Sequence, residues 1–434
     1  NASRCAWIGT DTQVSPRTLG RAFGNDRYDV AFVDDAGRYG SHLSGVLREL
    51  SKSDSLRLVV LGVRSFHNHA LQDASPDYVH TVGPLTDGDI DRLLAVLERE
   101  RLLGVLRAKR PDERRATFKK HAQRQLLVAM LETTSGERFE DKVVKEWTAQ
   151  KPHAQFIYAL AALATWLGYA LTREEILLAS RGGSRELEAL RDLENARLLV
   201  AEAGKFRARH RVIAETLVKE LTSRGTQIDH VVIGLARALA RPGETAAPKG
   251  SLRRRVLVHL LSHDWLHRVL DGIDPARGVY ASLEDYLDRD YHFWLQRGCL
   301  ELEAGDIKFA QNYIQQAAGI NSSDPLVETA RAHMELRTAI ANPAAPGARD
   351  AAERAFETLR RLVTARPNDH YVAHVFGSQV LAWSRRASLV NRERLALLRE
   401  AKEIVTNVLG RAKRREELKQ LLYDLRKEEL TPAT

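Results

Sequence analysis

Three apolar runs fall within the first 63 residues: Arg4 to Ile8, Val30 to Val33, and Leu56 to Val63, which reads LRLVVLGV. The third has no polar alternation, and this predicts a strand buried on both faces. Helix-length segments separate the runs. One opens at Ser15-Pro16-Arg17, with proline at an early position, and another runs from Ser41, whose hydroxyl can cap it, to Leu50. Short strands joined by helices of this length form right-handed parallel crossovers. The first 83 residues are thereby confined to part of a parallel α/β sheet.

Beyond Leu85 the strand signal almost vanishes. Ile90 to Leu106 and Gln125 to Leu131 repeat apolar residues at helical spacing, and Pro152 to Leu171 is strongly apolar. Thr172-Arg173-Glu174-Glu175 has the pattern of a helix-opening capping box. Leu187, Leu190 and Leu193 lead into Leu198-Leu199-Val200, a turn at Ala203-Gly204, and Phe206-Arg207-Ala208. Helix, helix and short hairpin is the order of a winged-helix domain, placed at residues 152–222. Residues 241–250, rich in Pro, Gly and Ala, read as a linker. After it the chain is helical and carries a repeat: Trp294, Gly298, Ala310, Ala317 and Pro325, with Gly305-Asp306 at its turn. A looser copy runs through Ala355, Phe356, Ala365 and Pro367. Small residues at these spacings let paired helices approach closely.

At 434 residues the chain exceeds one ordinary core. Its 44% apolar and 28% charged content describes a folded protein rather than a disordered one. No apolar window reaches the roughly eighteen residues of a membrane span, and two distant cysteines, Cys5 and Cys299, suit a reducing cytoplasm. A net charge of +9 is compatible with a polyanionic partner without requiring one. The chain starts at Asn1, already close to a strand, so the natural protein is expected to begin upstream.

Asp34 and Asp35 end the second run, and Arg64 ends the third. Side chains at the carboxyl ends of adjacent parallel strands face one crevice. There, two acids can hold magnesium through water and polarise an attacking water, while an arginine senses a terminal phosphate. The alternative is that the acids cap the next helix and pair with Arg64 at the surface. The phosphate loop GxxxxGK[ST] is absent; Gly204-Lys205 is the nearest approach, and it lacks both the first glycine and the Ser/Thr. His263-Asp264-Trp265-Leu266-His267, with His259 one turn earlier, resembles the zinc motif HExxH. Aspartate is too short to replace the glutamate base, however, and helix-packing histidines are the simpler reading. Arg101 to Arg124 holds nine basic residues against Asp112 and Glu113, either a phosphate-tracking stripe or a solvated face. His42, His67 and His69 have no convincing nucleophile partner. His210, beside apolar residues, is by itself most simply a structural group.

Taken together, RCAWIG, AFVDD, LVVLGVR, the helical stretch, the hairpin region and His210 in RARHRVIAE resemble the signal-transducing ATPases with numerous domains, the STAND class that includes plant and animal immune receptors. The resemblance implies a multidomain α/β plus α fold. Its parts are the second half of a P-loop-type parallel α/β domain (1–83), a helical domain (84–151), a winged helix (152–222) and a C-terminal TPR-like α-solenoid that senses a ligand (223–434). It further implies ATP or ADP with Mg, bound through Asp34 and Asp35 as catalytic acids, Asp34 reaching the metal through water, with Arg64 and His210 as nucleotide-binding residues. His210 would read the β-phosphate. The missing phosphate loop and an effector, for example an NADase of the sirtuin or TIR type, would lie upstream. The expected activity is an ATPase switch: a protein ligand, in bacterial antiphage defence a phage-derived one, triggers homo-oligomerisation. A DNA-binding regulator using the winged helix and a scaffold with a decayed ATPase stand as alternatives. No membrane partner is expected.

Overall fold

The computed structural model describes residues 4–8, 28–34, 36, 43–53, 55–63, 77–81, 83–120, 137–202, 204–225, 228–240, 251–367, 369–411 and 416–431. It is mostly helical with a small parallel sheet, and it divides into two compact units, Asn1–Thr226 and Gln227–Thr434.

In the first unit the three apolar runs become β1 (Cys5–Ile8), β2 (Val30–Val33) and β3 (Leu58–Leu61), a parallel sheet in chain order with β2 central. Trp7 stands in register with Phe32, and Phe32 with Val60. The pleat turns Ile8, Ala31 and Val33 to one face, where Leu43, Val46 and Leu50 of helix α1 (Leu43–Leu50) seal a small core. The opposite face differs from expectation. Leu58 is 53% exposed, Val60 36% and Trp7 66%, with Trp7 stacked on Phe32 at 5.6 Å. LRLVVLGV is therefore not buried on both sides. In a sheet built in chain order, successive right-handed crossovers fall on one face, and α1 occupies that face.

A capping box, in which Thr86 and Asp89 each accept the other's backbone N–H, opens α2 (Asp87–Arg99). The helical periodicity of Ile90 to Leu106 is not one helix. Arg101 and Gly104 take left-handed backbone angles, and the chain folds back through a 3-10 turn at Gly104–Ala108. This return closes Leu103, Leu106 and Phe118 of α3 (Pro111–Lys120) onto Ile90 and Leu97. The expected helix at 125–131 and the linker at 241–250 lie outside the described residues.

The rest of this unit surrounds one apolar helix. After α4 (Phe139–Thr148), α5 (Pro152–Trp166) buries Ile157, Tyr158, Leu160 and Leu163 on several sides. An all-round apolar helix must be enclosed. It is covered by α7 (Ser184–Asn195), by strand β6 (Lys205–Ala208) and by α8 (Arg211–Ser223). Thr172 and Glu175 form the expected capping box at the start of α6 (Arg173–Ser180), and Glu175 also accepts the Tyr169 hydroxyl at 2.8 Å. β4 (Leu171–Thr172), β6 and β5 (Leu199–Glu202) make an antiparallel sheet in the order β4-β6-β5. Gly204, at φ +75°, sits in the tight β5–β6 turn, a conformation that favours glycine.

Every described element of the second unit is a helix: α9 (Ile228–Ala240), α10 (Leu252–Leu260), α11 (His263–Leu270), α12 (Ile273–Leu287), α13 (Tyr291–Ala304), α14 (Ile307–Ile320), α15 (Pro325–Ala341), α16 (Ala348–Ala365), α17 (His370–Arg386), α18 (Asn391–Arg411) and α19 (Glu416–Leu430). From α13 on, each helix packs on the next, and α13, α15, α17 and α19 also neighbour one another in turn. The repeat residues explain the pairing. A Cβ on Gly298 would lie 2.6 Å from Ile314 Cγ1 and 3.2 Å from Ile314 N, so α13 and α14 meet almost backbone to backbone. Ala310 and Ala317 are fully buried at that seam, Gly305 ends α13 at φ +84°, and Asp324 with Pro325 starts α15. In the looser copy Ala355 and Phe356 are buried, but Ala365 is exposed at the end of α16 and is not a packing residue. The close approach there is made by Gly377, where a Cβ would meet Leu421 Cδ2 at 2.9 Å and Val405 Cγ2 at 3.1 Å.

Gly298→Ala tests the seam. Alanine would gain about 1 kcal/mol of helix propensity, yet its methyl must displace Ile314 and the α14 backbone. A net loss of about 1–3 kcal/mol is expected, read as a lower urea midpoint.

Candidate functional site

The acidic end of β2 is held by backbone rungs that continue past the strands. Asp34 N–H donates to the Ile8 carbonyl at 2.9 Å, Gly62 N–H to the Val33 carbonyl at 2.9 Å, and Ala36 N–H back to the Gly62 carbonyl at 2.7 Å. Asp34 is half-buried and leans over the end of β3. A Cβ on Gly62 would stand 3.3 Å from Asp34 Oδ1. The carboxylate therefore sits at the carboxyl edge of the central strand, with the neighbouring strand stripped of side chain beneath it. Asp35 and Arg64 lie outside the described residues. Gly62 was not singled out in the sequence, although a glycine closing the run LRLVVLGV is the signal for a close approach.

His210 takes a different position. It is exposed and is the N-cap of α8: its extended backbone (φ −155°, ψ 140°) lets Nδ1 accept the Val212 N–H at 3.1 Å. An accepting Nδ1 places the ring proton on Nε2. The N-terminus of α8 also brings the positive end of a helix dipole to the imidazole. Next to it, Arg209 Nη2 donates to Glu146 Oε2 on α4 at 2.5 Å, and Arg209 and Glu146 both act electrostatically on Tyr158. Tyr158 is completely buried and its hydroxyl has no hydrogen-bond partner among the described residues. Burial pushes that hydroxyl above the ordinary tyrosine range, with Arg209 opposing and Glu146 reinforcing the shift. None of Glu146, Tyr158 and Arg209 stands out in the sequence, because their meeting depends on α4 packing on α5 and α8. Asp34 and His210 are thus carried by different sheets, and α8 packs on α5 and α4.

The other candidates resolve into structure. Four residues of the described part of the basic run are paired with acids: Arg114 with Glu98, Arg115 with Asp91, Lys119 with Asp87, Arg110 with Glu113. α2 supplies most of these acids, and this favours the solvated-face reading. His263 spends both ring nitrogens on protein partners: Nδ1 meets Gln296 Oε1 at 2.7 Å and Nε2 meets Glu303 Oε1 at 3.3 Å. His259 packs against Trp265. Among the described residues there is no group of three or more side chains that could hold a metal ion, and no helix long and apolar enough to cross a membrane. His42, His67 and His69 lie outside the described residues.

No family model matches the chain, and no curated protein sequence does. Among solved structures it is similar to the crystal structure of a signal-transduction ATPase with numerous domains (STAND) protein with a tetratricopeptide repeat sensor, from Pyrococcus horikoshii. The identity is 14% and the TM-score 0.33, over 95% of this chain and 63% of that one. The chain therefore spans less than two thirds of that protein's length.

Two measurements follow. His210→Ala removes a helix cap and should cost about 0.5–2 kcal/mol, whereas His210→Asn retains most of it; thermal melts distinguish the two. The second is pH dependence. Burial lowers the His263 pKa, but hydrogen bonds to Glu303 and Gln296 outweigh it and leave the pKa raised. Its stabilisation is complete below the unfolded value of about 6.5 and fades as pH rises through the folded one. His333 is pulled down to about 4, first by burial and then by Arg337 and His374, so its contribution is present above about 6.5 and is lost as pH falls toward 4. In urea midpoints taken between pH 4 and 8, His263→Gln should flatten the alkaline limb and His333→Gln the acidic limb.

Proposed function

We propose that the chain is the regulatory portion of a STAND-type nucleotide switch. The observation that carries the reading is Asp34 at the carboxyl edge of the central parallel strand, leaning over the bare Gly62. This is where open α/β sheets bind ligands, and a carboxylate there suits a magnesium-bound nucleotide. In this reading Asp35 and Arg64, which follow Asp34 and Val63 in the sequence, serve as the second acid and the terminal-phosphate sensor. His210, on the dipole-positive end of α8, is suited to a diphosphate. The helix–helix–hairpin order of α6, α7, β5 and β6 supports a winged helix, and the serial packing of α13 to α19 supports a TPR-like solenoid. A groove of about 800 Å³ between α17 and α19, lined by His374, Ser378, Tyr423 and Asp424 among others, offers a surface for a protein ligand.

In the resting state ADP is clamped by His210. A ligand on the solenoid, in the antiphage setting a phage-derived protein, releases the clamp, and ATP exchange drives homo-oligomerisation and an upstream effector in the cytoplasm. The DNA-binding reading is disfavoured by α7, the helix that would enter a groove. It carries Glu186, Glu188, Asp192 and Glu194 against Arg185 and Arg191, the wrong sign for a phosphate backbone.

Titration of the full chain with fluorescent ADP in the presence and absence of Mg tests the proposal. Asp34→Asn should abolish the Mg-dependent part of binding. His210→Ala should weaken ADP about tenfold, the equivalent of one charge-assisted hydrogen bond, and should weaken ATP less. Absence of nucleotide binding by the intact protein, upstream phosphate loop included, would overturn the reading.

A further inference from the structure

Tyr158 of α5 carries a polar atom that the candidate site does not use. Its side chain is fully buried, its hydroxyl has no partner among the described residues, and the Arg209–Glu146 pair is close enough to act on it. A buried polar group without a partner calls for an explanation. Core packing does not supply one, because phenylalanine would fill the same space without the penalty. Arg209 and Glu146 are only about a quarter exposed, at 27% and 22%, and they join α4 to the end of β6 immediately before His210. The pair therefore fixes the last residue before the imidazole that caps α8.

We propose that Glu146 and Arg209 form a latch with two positions. When closed, the latch holds His210 as the cap of α8. When open, it passes Glu146 to the waiting Tyr158 hydroxyl and frees the imidazole. Each position satisfies a different set of groups. Closed, the ion pair is made and the Tyr158 O–H is unpaired; open, Tyr158 donates to the carboxylate and Arg209 turns to water. Such an arrangement is bistable, because neither state satisfies every group at once. α4 is the moving part: it packs on both α5 and α8, so a displacement of α4 withdraws Glu146 from Arg209. Glu146 and Arg209 are positioning residues; neither is placed on a ligand. The inference rests on His210 facing the nucleotide for its biological meaning, but its structural core does not need nucleotide at all.

Hydrogen exchange on the full chain reads the latch at the Val212 amide, the group His210 caps. Glu146→Gln should raise exchange at Val212 at least tenfold while leaving Val218 and Leu221, deeper in α8, at wild-type rates. The charge swap Glu146→Arg with Arg209→Glu should restore protection; Arg209→Lys alone, which keeps the pair, should retain protection even where the swap fails to fold. Tyr158→Phe should leave Val212 protected and raise Tm, because only the open state uses the hydroxyl. Unchanged Val212 exchange in Glu146→Gln, or a uniform rise along α8, overturns the latch, as does a fall in Tm for Tyr158→Phe. An ADP titration separates the latch from the reading above. If the intact protein binds no ADP but Val212 responds, the nucleotide reading fails and the latch stands. If ADP binds, Glu146→Gln should weaken it several-fold, and this effect should vanish in a His210→Ala background.

Discussion

The hydrogen bond from Gly62 N–H to the Val33 carbonyl extends the β2–β3 ladder one rung past its regular end, and the acidic site depends on it. The bond keeps β3 in register just where β2 delivers Asp34. It also requires the two chains to run side by side at a point where one of them bears a carboxylate. Glycine at position 62 meets that requirement, since any larger residue would crowd Oδ1 at about 3.3 Å. The rest of the small sheet serves this geometry. Ile8, Ala31 and Val33 anchor one face on α1.

Charge plays two different roles along the chain. In the stretch from Arg101 to Lys119, arginines and lysines meet acids of α2 and α3, all but Arg114 at exposed positions, where pairs of this kind contribute little stability and mainly cancel the field. At Arg209 a single partly enclosed pair ties α4 to the residue that follows β6. The same chemistry is thus diffuse in one place and directional in the other, and the difference is the number of alternative partners. The orphaned Tyr158 hydroxyl has meaning only in the second setting.

Much of the architecture was legible before any coordinates. The three parallel strands, the capping box at Thr172, the Gly204 hairpin and the Gly298–Ala310–Ala317 seam all follow from local rules: apolar period, side-chain capping, positive φ, and small residues at a helix contact. Asp34 was legible for the same reason, as the residue ending a buried run. The misses have a common cause. LRLVVLGV reads as doubly buried because its composition says so, yet which face is covered depends on crossover handedness and strand order. Ala365 was read as a packing residue from its spacing, while Gly377, four residues after Ala373 just as Gly298 follows Trp294, was passed over. Ile90 to Leu106 keeps helical period through a left-handed break at Arg101, because apolar spacing records which residues meet the core and not how the backbone brings them there.

The sequence by itself determined the elements, their caps and the small residues that let helices touch, since these depend on neighbours within a few positions along the chain. Tertiary structure alone decided that Asp34 would lean over Gly62, that acids of α2 would pair with Arg114, Arg115 and Lys119, and that Glu146, Tyr158 and Arg209 would meet beside His210. Those outcomes join residues separated by as many as 63 positions. Their energies come from burial, and burial exists only once distant segments have closed around them.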